Sequence, residues 1–185
     1  TKENIKELIS IVKATNCDLG IAFDCDGDRV TLVDENGEFV IGDKITALSF
    51  LIKLSEKKGS VVTTVATSKA TEDVAEKFGA KTIYTKVGAP YICEAVLKNN
   101  SVSGGEEVGG VIWPELSLAK DGIFTAVKII EHLALTGKKL SAAIEQVPIY
   151  YNHKIKIPAK ANEKLSMLQK AKAYALKKKK KINEI

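Results

Sequence analysis

Cysteine is scarce and poorly placed for cross-linking. Cys17, Cys25 and Cys93 are odd in number and form no C-x-x-C pair, so neither a disulfide framework nor a zinc knuckle follows, and all three read as reduced thiols. Four prolines and 13 glycines in 185 residues exclude a collagenous or proline-rich chain. No apolar run approaches the ~20 residues that span a bilayer, and the richest window, Ile45 to Leu54, is broken by Lys53. Thr1 to Glu7 mixes both charges and lacks the apolar stretch and cleavage site of a secretory signal, so a cytoplasmic setting is expected. Arginine is the scarcest cation: Arg29 stands alone among 28 basic residues.

What is present is an ordinary globular balance, 45% apolar and 28% charged, with enough chain for one good core. The net charge of +5 is unevenly spread. Residues 161–185 carry net +6, which leaves residues 1–160 at −1. The run Lys177 to Lys181 has the charge of a nucleic-acid or membrane patch, but no aromatic platform or arginine fork accompanies it. Leu165, Leu168, Ala175 and Leu176 lie at roughly helical spacing, so the tail reads as a helix with a solvated basic face, and neither nucleic acid nor membrane is expected as a partner.

Ile5, Leu8, Ile9 and Val12 predict an amphipathic helix over residues 3–15, leading into a strand from Asp18 to Phe23. Strands at 30–33 and 38–41 flank Asn36-Gly37, a hairpin turn signal. Asp43 is the expected N-cap of a long helix stopped at Gly59. Strands at 61–65, 82–84, 102–103 and 111–113 then alternate with helices at 71–78 and 91–98. Next come a helix capped by Asp121 and ended by Gly137, a short helix from Ser141, and an alternating segment from Tyr150 to Ile157. This order predicts an α/β protein: a layered α/β domain with a mixed, largely parallel sheet flanked by helices. The first 40 residues hold too few strands to build a sheet of their own, so both ends are expected to be parts of neighbouring domains.

The strand Leu19 to Phe23 ends in Asp24-Cys25-Asp26-Gly27-Asp28-Arg29. Carboxylates at alternate positions, with a glycine to turn the backbone, converge hard oxygen atoms on one cation, which favours Mg²⁺ or Ca²⁺. Glu35 stands at position twelve counted from Asp24, the spacing of an EF-hand calcium loop. That loop requires Gly at position six, where Arg29 stands, and helices on both sides, where strands are predicted. Arg29 is suited to fork a phosphoryl oxygen beside the cation, a geometry that lysine cannot imitate. Ser68, His132 and His153 have no partners in sequence and read as structural residues.

The Asp24 to Arg29 segment resembles the D-x-D-G-D-R metal loop of the α-D-phosphohexomutases, the phosphomannomutase and phosphoglucomutase family. Gly105-Glu106-Glu107-Val108-Gly109-Gly110 resembles that family's sugar-binding loop, G-E-x-S-G-H, and Thr85-Lys86-Val87-Gly88 is similar to its T-K-V-G segment. Val108 and Gly110 replace the usual Ser and His, and Ala89-Pro90 follows where the family commonly has a polar residue and Arg. Neither the serine motif that carries the phosphoryl group, T-A-S-H-N-P, nor the C-terminal phosphate loop, R-x-S-G-T-E-P, occurs.

The resemblance implies an internal segment of an archaeal-like phosphohexomutase. Residues 1–40 would be the end of domain 2 with the metal loop, 41–148 domain 3 with the sugar loop, and 149–185 an incomplete start of domain 4. The implied reaction moves a phosphoryl group between C1 and C6 of a hexose phosphate, mannose or glucose phosphate, through a phosphoserine that this segment lacks. Mg²⁺ would be held by Asp24, Asp26 and Asp28; Arg29 and Lys86 would be catalytic; Gly105, Glu106 and Glu107 would bind the sugar. A segment of this kind is expected to be inactive alone. The alternative is a non-catalytic divalent-metal-binding module. A Glu106→Ala change in a full-length protein is expected to weaken use of the sugar phosphate without affecting metal binding.

Overall fold

The computed structural model describes residues 2–151 and 158–177, and the chain divides into two units, Thr1–Tyr150 and Tyr151–Ile185. In the first unit a single 3₁₀ turn leads into helix α1, Lys6–Thr15, which ends at Asn16 in the left-handed conformation. Three strands follow: β1 (Leu19–Phe23), β2 (Val30–Asp34) and β3 (Phe39–Val40). They pair antiparallel in that order, so the first 40 residues do build a sheet of their own, contrary to the expectation from strand counting. The tight turn explains it: Asp34 accepts hydrogen bonds from the backbone N–H groups of Asn36 (2.9 Å) and Glu38 (2.8 Å) and folds β3 back onto β2.

Helix α2, Gly42–Glu56, is buried nearly all round, as a helix enclosed by a core must be. Asp43 lies inside its first turn rather than capping it; its carboxylate instead accepts from the Ser68 N–H at 2.9 Å and ties down the loop before the next helix. Then come β4 (Val61–Thr64), α3 (Ala70–Lys77), β5 (Thr82–Thr85), α4 (Ala89–Asn99), β6 (Ser103–Gly105) and β7 (Val111–Ile112). The second sheet runs β5-β4-β6-β7, with β4 parallel to both β5 and β6 and only β7 antiparallel. It is the mixed, largely parallel sheet that the alternation of elements predicts. Helix α5, Gly122–Thr136, is capped by the Asp121 carboxylate, which accepts from the Phe124 N–H at 2.7 Å, and a short α6, Leu140–Ile144, follows.

One continuous core joins Val30, Leu32 and Val40 of the first sheet to Ile45, Leu48 and Phe50 of α2, Val61 of β4, Val74 of α3 and Ile129 of α5. A smaller cluster of Val62, Ile92, Val96 and Ile112 packs α4 on the opposite face of the second sheet. The second sheet is thus covered by helices on both faces, which is why every residue of β4 is buried.

In the second unit, α7 spans Lys164–Lys177 and buries none of its residues, in keeping with a solvated basic helix. The alternating segment at 152–157, His153 and most of the run Lys177 to Lys181 lie outside the described residues. Among the described residues no helix is long and apolar enough to cross a membrane.

Candidate functional site

The carboxyl ends of β4, β5 and β6 lie at one edge of the second sheet, because these strands run parallel. That edge is where open α/β sheets bind ligands. Lys86 follows β5, and Glu106 and Glu107 follow β6. The loop of residues 105–110 is fixed by hydroxyls: Thr46 donates to the Glu106 carbonyl at 2.7 Å, Thr63 to the Gly105 carbonyl at 3.0 Å, and Thr64 to the Glu107 carboxylate at 3.2 Å. Gly42, the first residue of α2, lies so close to this loop that a Cβ there would stand 2.4 Å from the Val108 carbonyl carbon.

The acidic loop between β1 and β2 brings one ligand atom each from Asp24, Asp26 and Asp28 within 4.8 Å of one another. Gly27 turns the loop with φ +70°, a conformation that costs glycine nothing. Arg29 reaches back across the loop. Its backbone N–H donates to Asp24 Oδ1 at 3.2 Å, its Nε to Asp24 Oδ2 at 2.5 Å, and the same Nε lies 3.3 Å from Asp28 Oδ1. Burial opposes the charge on Asp24, but hydrogen bonds and charge from Arg29 outweigh it and hold the carboxyl below the ordinary range. The terminal nitrogens of Arg29 make no hydrogen bond to described residues, and its side chain is about half exposed. Asp26 is exposed and has no hydrogen-bond or ion-pair partner among the described residues.

The two loops meet. The Val30 N–H donates to the Gly109 carbonyl at 3.3 Å, and a cavity of about 510 Å³ lies between them, lined by Phe23, Asp24, Arg29, Phe39 and Val108 among others. A residue that sequence reasoning missed closes the link: Lys120 Nζ lies 2.6 Å from Asp28 Oδ2 and 2.6 Å from Glu106 Oε1. Its only signal in sequence is a place just before the Asp121 cap, which is too common a position for a lysine to stand out. Lys86 is not drawn into this constellation. It is exposed, and its ammonium stands 5.8 Å from the centre of the Tyr91 ring, beside a groove that also includes Tyr84, Glu94 and Lys98.

Donor chemistry fits a hard divalent cation: three carboxylates, no sulfur or imidazole, and one carboxylate left unpaired. The EF-hand geometry does not fit. The flanking segments are antiparallel strands, and Glu35 turns away to the start of α6, where it accepts hydrogen bonds from the Ser141 hydroxyl and, at 3.3 Å, the Ser141 N–H. Burial opposes the charge on Glu35, but the Ser141 hydrogen bonds outweigh it and hold its carboxyl below the ordinary value. A carboxyl held low when folded adds stability above its unfolded pKa and loses that increment as pH falls through the lowered value. Glu35→Gln is therefore expected to cost about 1 kcal/mol at pH 7. In urea titrations the gap between the two proteins should close below about pH 4; a gap independent of pH removes the charge from the account.

Of the remaining residues, Ser68 serves the backbone before α3, accepting from the Ala70 N–H at 3.2 Å. His132 Nε2 is buried without a partner among the described residues, and burial pushes its pKa down, as for a neutral structural imidazole. The three cysteines are free thiols, and Cys93 donates to the Leu118 carbonyl at 2.7 Å.

Comparison with known proteins meets this geometry from the other side. The curated Thermococcus kodakarensis protein named phosphoglucomutase/phosphomannomutase is 47% identical over 156 residues, which is 84% of this chain and 34% of that protein. A Methanococcus maripaludis phosphoglucosamine mutase is 37% identical over 187 residues, 98% of this chain and 41% of that one. The chain thus spans about a third to two-fifths of the length of these relatives. Among solved structures, a phosphoglucomutase/phosphomannomutase family protein from Burkholderia thailandensis superposes with a TM-score of 0.74 at 25% identity, covering 82% of this chain and 33% of that one. An Aspergillus fumigatus N-acetylphosphoglucosamine mutase, solved with GlcNAc-6P and magnesium, shares the fold at 17% identity and a TM-score of 0.54, covering 88% and 44%. The family model for the alpha/beta/alpha domain III of phosphoglucomutase/phosphomannomutase matches residues 41–151, and that for domain II matches residues 1–37. With both loops lying inside matched segments, the chain belongs to the phosphoglucomutase/phosphomannomutase family of α-D-phosphohexomutases.

Proposed function

We propose that the chain is the metal- and sugar-binding part of a phosphohexomutase, an isomerase of the cytoplasm that moves a phosphoryl group between C1 and C6 of a hexose phosphate. The convergence of the acidic loop and the Glu106 loop on one ammonium carries this reading. Residues 1–40 then act as the end of one domain, 41–148 as the next and 149–185 as the start of a third, while the phosphoserine that exchanges its phosphoryl group lies outside this chain. Phosphates of mannose, glucose and glucosamine are all candidate substrates, given the names borne by the relatives.

Asp24, Asp26 and Asp28 would hold Mg²⁺, the ion found with the Aspergillus relative. When bound, it supplies positive charge that stabilises phosphoryl oxygens. Arg29 spends its Nε on Asp24 and Asp28, which keeps its fork upright and its terminal nitrogens available for a phosphoryl oxygen at the cavity. Glu106 has one oxygen on Lys120 and the other without a hydrogen bond among the described residues, so the second can accept from a sugar hydroxyl. Gly105 and Glu107 set the course of that loop. Lys86 adds an exposed cation at the same strand edge for the distal phosphate or a sugar oxygen. A non-catalytic metal module would account for the acidic triplet alone and would leave the second loop without work.

The test is turnover. The full-length protein, given glucose, mannose and glucosamine 1-phosphates with Mg²⁺, should convert at least one to its 6-phosphate. Glu106→Ala should lower kcat/KM by roughly 10- to 100-fold, as expected for a lost charged hydrogen bond to substrate. The 185-residue chain alone should show no turnover. Turnover by that chain, or unaltered kinetics in the Glu106 variant, overturns the proposal.

A further inference from the structure

Lys120 is held more firmly than a surface lysine. Its backbone forms an antiparallel bridge with Ile112, the next residue's N–H donates to the Val111 carbonyl at 2.9 Å, and α5 begins two residues on. Its stem passes directly over Gly110: a Cβ at that position would stand 2.6 Å from Lys120 Cδ. The absence of a side chain at Gly110 is thus what gives the Lys120 stem room. Only 11% of its side chain and 9% of that of Glu106 are exposed, so this is a buried ion pair in which neither partner is readily left alone.

At the other end the ammonium meets a carboxylate whose two oxygens are both already engaged. Asp28 Oδ2 is taken by Lys120, and Oδ1 faces Arg29 Nε at 3.3 Å. A cation bound by the triplet needs an oxygen of Asp28, and whichever oxygen it takes, it shares that carboxylate with the ammonium, so the two positive charges repel. Glu106 offers the ammonium an alternative partner at equal distance. A lysine flanked by two carboxylates is an ammonium throughout the neutral range.

We propose that Lys120 competes with the divalent cation for Asp28 and retreats onto Glu106 when the cation binds, so that occupancy of the acidic loop sets how tightly Glu106 is held. Lys120 is a positioning residue: it acts through Asp28 and Glu106. The inference rests on the metal reading of the triplet and adds a coupling to it. It also reverses the expectation that Glu106 and metal binding are independent.

Calorimetric titration of the 185-residue chain with Mn²⁺ tests it, with a thermal melt of each variant to confirm folding. Lys120→Met keeps the stem and removes the charge, and should tighten Mn²⁺ binding about tenfold. Lys120→Arg keeps the charge and should bind within about twofold of the native chain. Glu106→Gln leaves the ammonium with Asp28 alone and should weaken binding about threefold or more, and it reads the competition independently should Lys120→Met not fold. A lysine that merely braces the loop predicts the opposite sign for Lys120→Met. Weaker or unaltered binding in that variant, or unaltered binding in Glu106→Gln, overturns the coupling and leaves the metal reading standing. Absence of Mn²⁺ binding by the native chain overturns both.

Discussion

Asp26→Asn lowers the affinity of the chain for Mg²⁺ or Mn²⁺ by at least about tenfold, equivalent to about 1.4 kcal/mol, and leaves its melting temperature in place. The two halves of this expected result come from the same observation. Asp24 is spent on Arg29, and Asp28 on Arg29 and Lys120, whereas Asp26 is exposed and bonds to none of the described residues. Neutralising it removes a third of the carboxylate charge from the loop while breaking no contact that the fold uses. Asp24→Asn is the contrasting variant, because it also weakens the tie that shapes the loop. Calorimetry and a thermal melt of both variants decide the matter. A fall in the melting temperature of Asp26→Asn without metal would mean that its carboxylate supports the fold, and unaltered affinity would remove it from the ligand set.

Gly122→Ala should cost about 2–3 kcal/mol of stability and weaken metal binding as well. Gly122 opens α5, and its N–H donates to the Gly27 carbonyl at 2.9 Å. A methyl group there would stand 2.5 Å from the Arg29 carbonyl carbon, 2.7 Å from its oxygen and 2.8 Å from the Gly27 oxygen. All three are backbone atoms of the acidic loop, so no side chain can turn aside to make room. Helix and loop must separate, and the converging carboxylates spread with them. At roughly 2–4 °C per kcal/mol for a chain of this size, the melting temperature should drop by about 4–12 °C. Gly79→Ala provides the control: its φ of +63° carries backbone strain of roughly 1–2 kcal/mol, but nothing lies within 4 Å, and metal affinity should not change. Equal metal affinities for the two variants would show that the start of α5 does not shape the loop.

The legibility of the sequence followed the range of the interaction. Asp24 to Arg29 is contiguous, so alternate carboxylates, a turning glycine and a lone arginine could be read directly, and the structure gathers the three carboxylates. The Asp121 cap lies three residues from the N–H that it binds and was equally readable. Asp43 has the same local appearance, but its carboxylate serves Ser68, 25 residues away, and periodicity carries no information about that. The strands of the first sheet were visible singly; that they pair with one another depends on how the turn at Asn36-Gly37 folds them together. Lys120 was invisible for the same reason, since its role exists only once residues 28, 106 and 120 are brought together.

The core described above has a consequence for cooperativity. Family models match residues 1–37 and 41–151 as portions of two different domains, yet Val30 and Leu32 share one apolar interior with α2, β4 and α5. A boundary crossed by that much packing is no hinge, and neither side can open to solvent without exposing the other. The amides of β2 and those of α2 should therefore exchange with deuterium through one common unfolding event. The acidic loop and the Glu106 loop ride on that single cooperative block, so their spacing is set by the core and not by the boundary between the two matched segments.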